Sequence, residues 1–124
     1  MALGKIKADT LEHSTAGSLD TQYVVNGSAK AWVNFNGTGT IAARDSLNLS
    51  SLTDNATSDY TINPANALAN ANYCGIGNGW ESGGYTSTTT YTPTTSSLRV
   101  KYSSPVAANA DSSYVNTAIH GDLA

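Results

Sequence analysis

Asn26-Gly27-Ser28-Ala29-Lys30-Ala31-Trp32-Val33-Asn34-Phe35-Asn36-Gly37-Thr38-Gly39-Thr40 reads as one β-strand held between two turns. Ala29, Ala31, Val33 and Phe35 fall on one side of a period-two pattern, and Lys30, Trp32 and Asn34 fall on the other. An Asn-Gly dipeptide stands at each end, the turn chemistry that lets the chain reverse. The pattern is that of a strand with one face in a core and one face outside. Similar signals recur along the chain. Ile41, Ala43, Leu47 and Leu49 alternate in phase with Asp45 interrupting, which marks a bulge or a rim there. Asp54 to Asp59 is turn chemistry, after which Tyr60-Thr61-Ile62-Asn63 resumes a strand that Pro64 stops. Tyr85 to Thr95 reads as a strand through Tyr91. Leu98, Val100 and Tyr102 alternate with Arg99 and Lys101, and Val115, Thr117 and Ile119 form the inward face of a last strand. Short strands separated by turns predict an all-β fold, a β-sandwich or jelly-roll-like module.

Other segments are less regular. Ile6, Ala8 and Thr10 alternate with Lys5, Lys7 and Asp9 before His13 to Ser18 breaks the pattern, which predicts a short strand followed by an extended arm. Tyr23-Val24-Val25 reads as a further short strand. Ala65 to Ala71 has the composition for one helical turn and no more. Gly75 to Gly84 carries five of the chain's eleven glycines and reads as a long loop bearing Trp80. The division predicted is an N-terminal arm over residues 1–25 and a sandwich domain over residues 26–124.

Composition narrows the functional classes. At 124 residues the chain is one domain, and although 40% of it is hydrophobic, Phe and Met occur once each. A core so poor in large apolar side chains favours oligomerisation. Only 12% of residues are charged, against roughly 25% in an average domain. Six scattered Lys and Arg and a net charge of −3 leave no basic stripe, so nucleic acid is not an expected partner. No stretch has the ~18 apolar residues of a membrane span. The opening residues lack the ~7–15 residue apolar run of a secretory signal, which points to synthesis and assembly inside a cell. Cys74 is the single cysteine, excluding an intrachain disulfide, and reads as a small buried hydrophobe.

The segments GSAKAW (27–32), NFNGTGTI (34–41) and DSLNLSSLTDNATSDYTIN (45–63) resemble a small β-rich module of bacteriophage tail-fibre and virion structural proteins, especially of marine phages and cyanophages. The resemblance covers residues 5–74. It implies a non-enzymatic virion building block, a tail-fibre or capsid decoration subunit assembled in the bacterial cytoplasm, with trimerisation and contacts to other virion proteins. Lys5, Ile6, Lys7 and Leu11 are then candidates for the assembly arm.

Chemical motifs are sparse. His13 and His120 sit in no metal-binding or catalytic spacing and read as surface or turn histidines. Asp54, Asn55 and Asp59 offer oxygens of the kind calcium takes, but the EF-hand pattern is absent and turn formation accounts for them. No metal, cofactor or catalytic residue is assigned. Aromatic residues carry the recognition signal: Trp80, Tyr85 and Tyr91, with Asn78, are candidates for a host-surface glycan or protein receptor, because tryptophan and tyrosine stack on sugars and anchor interfaces. Trp80 folding back over the core edge is the alternative. Trp32, on the outward side of its strand, is a candidate subunit contact. A free carbohydrate-binding module is the second functional expectation, and a small hydrolase the third.

Overall fold

A computed structural model describes residue 4 and residues 6–80, 87–103 and 110–124. After an N-terminal hairpin, β1 (Thr10–His13) and β2 (Gly17–Asp20), and a helix, α1 (Thr21–Gly27), the chain enters an all-β sandwich. Its strands are β3 (Ala29–Asn36), β4 (Ala42–Leu47), β5 (Leu49–Ala56), β6 (Asp59–Pro64), β7 (Cys74–Trp80), β8 (Ser87–Tyr91), β9 (Leu98–Ser103) and β10 (Tyr114–His120). They form two four-stranded antiparallel sheets in the orders β4-β3-β10-β7 and β5-β6-β9-β8.

The period-two pattern around Trp32 does what its residues dictate. Ala31, Val33 and Phe35 of β3 are buried with Val115 and Ile119 of β10, facing Tyr60 and Ile62 of β6 and Leu98 and Val100 of β9. Phe35 meets Tyr60 edge to face at 5.2 Å between ring centroids. Tyr60 directs its hydroxyl to the Gly37 carbonyl and the Asp111 carboxylate, at 3.0 and 2.9 Å. Asp111 also accepts from the Ser58 backbone N–H at 2.8 Å, so the Tyr60 hydroxyl and the Asp111 carboxylate together tie β6, the residue after β3 and the residues before β10 at this end of the sandwich. Burial and the Asp111 charge together push the Tyr60 phenol well above its ordinary pKa.

The predicted run Ile41 to Ser50 is two strands. Asn48 breaks it with a φ of 54°, and this corner takes the chain from one sheet to the other. Asparagine tolerates that left-handed conformation because its short amide bonds locally. Here Nδ2 donates to the Lys30 carbonyl at 3.0 Å and Oδ1 accepts from the Asn66 N–H at 2.7 Å. The bulge falls beside Asp45: Asn34 pairs with Asp45 and Phe35 with Ala43, leaving Arg44 as the extra residue.

Several expectations are corrected. Tyr23-Val24-Val25 lies in α1, not in a strand. β-branched residues favour strands only where a neighbouring strand can pair with them; here the Ser28 N–H and hydroxyl both bond the Val24 carbonyl and close the helix. The short strand and extended arm expected near the N-terminus are a hairpin, its turn held by His13 Nδ1, which accepts from the Ala16 N–H at 3.1 Å. Residues 65–71 are bends and an isolated bridge of Leu68 to Leu123, not a helical turn; burying Leu68 serves the core better than a marginal helix. The long glycine loop is strand β7 as far as Trp80. Gly75 and Gly79 face inward, where a β-carbon would collide with Leu98 and Tyr102 of the opposing sheet. Cys74, the first residue of β7, is exposed rather than buried, because it lies in phase with Ile76 and Asn78, whose side chains leave the outer face.

Candidate functional site

The outer face of the β4-β3-β10-β7 sheet brings residues remote in sequence into rows. Strand register places Leu47, Trp32, Ala118 and Ile76 side by side across the four strands. The adjacent row holds Asp45, Asn34, Asn116 and Asn78. Beyond it Tyr114 pairs with Trp80, their rings edge to face with centroids 6.1 Å apart. The Arg44 guanidinium lies 4.1 Å from the centre of the Tyr114 ring and donates to the Ser113 carbonyl at 2.6 Å.

Ala118 is the small member of its row, between Trp32 and Ile76. The depression it leaves is a groove of about 350 Å³ lined by Trp32, Asn34, Ile76, Asn78, Asn116 and Ala118. Asn34 Nδ2 donates to Asn116 Oδ1, and Asn116 Nδ2 donates to Asn78 Oδ1 at 2.8 Å. The groove therefore has an indole on one side, an isoleucine opposite, and a bonded row of carboxamides along one edge.

Two cations border this face and hydrogen-bond to backbone carbonyls. Lys30 directs its ammonium to the Val25 and Ser28 carbonyls, and Arg44 is held as described.

Trp80 and Asn78, predicted from sequence, share this face, and Trp32 lies on it between them and β4. Trp80 is 59% exposed, at the end of a strand rather than in a loop. Tyr91 is elsewhere, on the opposite sheet. Its hydroxyl donates to Asp59 Oδ2 at 2.6 Å, and Arg99 grips both oxygens of the same carboxylate at 2.7 and 2.8 Å while lying over the Tyr91 ring. Asn55 adds a contact at 3.3 Å. Burial raises the pKa of Asp59, but the hydrogen bonds from Arg99, Tyr91 and Asn55 and the Arg99 charge outweigh it, and the net shift is downward. This cluster staples β8, β9 and the β5–β6 turn together. Tyr85 lies outside the described residues. Of the arm candidates, Lys5 also lies outside them, while Ile6, Lys7 and Leu11 are exposed. Among the described residues, no three His, Cys, Asp or Glu side chains converge as a metal would require, and no helix is long and apolar enough to cross a membrane.

Asn34, Asn116, Tyr114 and Arg44 escaped the sequence reading. Asn34 and Asn116 are 82 positions apart, and the available signal was only that each is in phase with an outward residue, Trp32 and Tyr114 respectively.

No protein-family model matches the chain, and no curated protein or solved structure matches it either. The fold and the geometry of this face define an all-β antiparallel sandwich with an appended hairpin and helix.

Proposed function

We propose that the chain is a non-enzymatic structural module of a bacteriophage virion, a tail-fibre or capsid decoration subunit. It assembles as a homotrimer through its N-terminal residues, contacts other virion proteins, and presents the sandwich to the host surface. The observation that carries this reading is the exposure of Ile6 before the hairpin, and of Leu11, Leu19, Tyr23, Val24 and Val25 on the hairpin and helix, although the sandwich completes its core without them. Helix α1 buries no residue at all. Apolar side chains grouped on a small appendage mark an interaction surface, and an assembly neighbour offsets the entropy of ordering such a segment, roughly 1–2 kcal/mol per residue. The resemblance of β3 through β6 to phage virion modules supports the same reading. His120 Nδ1, 3.0 Å from the Gly27 carbonyl, fixes where the appendage leaves the body.

Light scattering coupled to size exclusion, on the full chain and on a chain lacking residues 1–27, tests it. The expected result is a trimer for the first and a monomer with unchanged β-sheet circular dichroism for the second, which no longer enters particles. Val24→Asp in the full chain should also shift the trimer to monomer. A full chain that is a folded monomer at micromolar concentration overturns the proposal, as does normal particle incorporation of the truncated chain.

A further inference from the structure

The amide row on the outer sheet face is half used. Asn34 and Asn116 spend one N–H each on the row, and the two ends, Asn34 Oδ1 and Asn78 Nδ2, have no hydrogen-bond partner among the described residues. The three amides point their dipoles in one direction, so each bond strengthens the next and the ends become a better acceptor and a better donor. Beside them runs the apolar row of Trp32, Ala118 and Ile76. The groove volume of about 350 Å³ falls within the ~300–1,000 Å³ range of small-ligand sites.

We propose that this groove binds a neutral saccharide, with a pyranose ring lying against Trp32 and its hydroxyl rim on the Asn34–Asn116–Asn78 row. The two chemistries match. A sugar ring has an apolar C–H face suited to an indole, and each of its hydroxyls both donates and accepts, as each carboxamide does. An anionic ligand finds no counterpart among the described residues that line the groove, none of which is a lysine or an arginine. Asp45, opposite Asn34 at the end of the same row, repels negative charge. Trp80, two residues beyond Asn78 on the same strand face, extends the surface for a second sugar unit. The inference rests on the display half of the function proposed above and not on its assembly half. Sugar binding by the isolated chain and trimer formation are separate measurements, so either can fail alone.

The test is a titration of the full-length isotope-labelled chain with glucose, galactose, mannose, N-acetylglucosamine and their β-linked disaccharides, followed by NMR. Saturable shifts of the Asn34, Asn78 and Asn116 side-chain amides are expected with at least one of them. Asn78→Ala, on an exposed edge strand, should leave the fold intact and weaken binding ~10-fold, and Trp32→Ala should weaken it at least as much. Trp32→Phe, which keeps an aromatic face, should retain part of the affinity. Absence of shifts with every sugar overturns the proposal, and so do shifts unaltered by both Asn78→Ala and Trp32→Ala. Stronger binding of the sulfated or phosphorylated forms overturns it too, and amide shifts that follow protein concentration without sugar would assign the face to a second copy of the chain.

Discussion

Gly79 lies directly against the ring of Tyr102: a β-carbon at Gly79 would fall 2.1 Å from Tyr102 Cε2 and 2.4 Å from Cδ2. The edge strand β7 and the facing strand β9 thus approach with backbone on one side and an aromatic ring on the other. The ring occupies the space that a side chain from β7 would otherwise fill.

Gly79→Ala should therefore destabilise the sandwich by about 2 kcal/mol through overpacking, since Tyr102 is fully buried and its ring must move. Urea unfolding measures this. Combined with Tyr102→Leu, the cost of Gly79→Ala should shrink, giving a coupling above about 0.5 kcal/mol. Strict additivity would place the strain elsewhere.

Thr117, opposite Gly77 on the inner face of β10, buries a hydroxyl that has no hydrogen-bond partner among the described residues. Desolvating an unpaired hydroxyl costs free energy that valine of the same shape avoids. Thr117→Val is expected to raise stability by about 1 kcal/mol, read as a higher melting temperature. A lower one would mean that the hydroxyl is satisfied in solution.

Asp59 should give the fold an acid-labile component. Its folded-state pKa lies below the ordinary 3.8, so its stabilisation is fully present above that value and is lost as pH falls through the lower, folded-state value. Within that window the unfolded chain binds more protons, and stability rises with pH. Asp59→Asn should flatten this part of the pH–stability curve and lower stability at neutral pH, because Arg99 and Tyr91 lose their carboxylate. Denaturation midpoints from pH 2 to 7 (roughly the carboxylate range and above) would show it; an unchanged acid limb would deny Asp59 this role.

Trp80 contacts Tyr114 at the rim but leaves most of its surface in solvent. Trp80→Ala should cost less than about 1 kcal/mol, with the melting temperature changed by only a few degrees, while particle adsorption to host cells falls. Loss of the folded state would return the indole to the core edge.

Strands whose inner faces carry large side chains were legible in the sequence. Val33 and Phe35, Leu98 and Val100, and Val115 and Ile119 each advertise a buried face by alternation, and each is buried. Strand β7 hid because its inner face is glycine; alternation of Gly with Ile76, Asn78 and Trp80 looks locally like a flexible loop. Cys74 was misplaced for the same reason, since its phase has meaning only once β7 is recognised as a strand. The Tyr23-Val24-Val25 segment misled in the opposite direction, carrying strand composition at a place where, among the described residues, no strand pairs with it. The candidate site was visible only in fragments: Trp80 and Asn78 could be named, but Tyr91 belongs to the opposite sheet and Asn34 and Asn116 gave no sign of each other.

The all-β class and the face of most strands follow from the residue order alone, because side-chain alternation is a local consequence of the pleat and needs no knowledge of neighbours. That β7 is a strand, and that three asparagines stand in one row beside Trp32, emerges from the packed sheets. Both depend on what lies across a sheet or between sheets: Tyr102 filling the space above Gly79, and antiparallel register carrying Asn34 to Asn116 and Asn116 to Asn78. Register is set by the match of buried faces and by turn geometry, and β3, β7 and β10, neighbours in the sheet, are so far apart in sequence that no single turn fixes theirs.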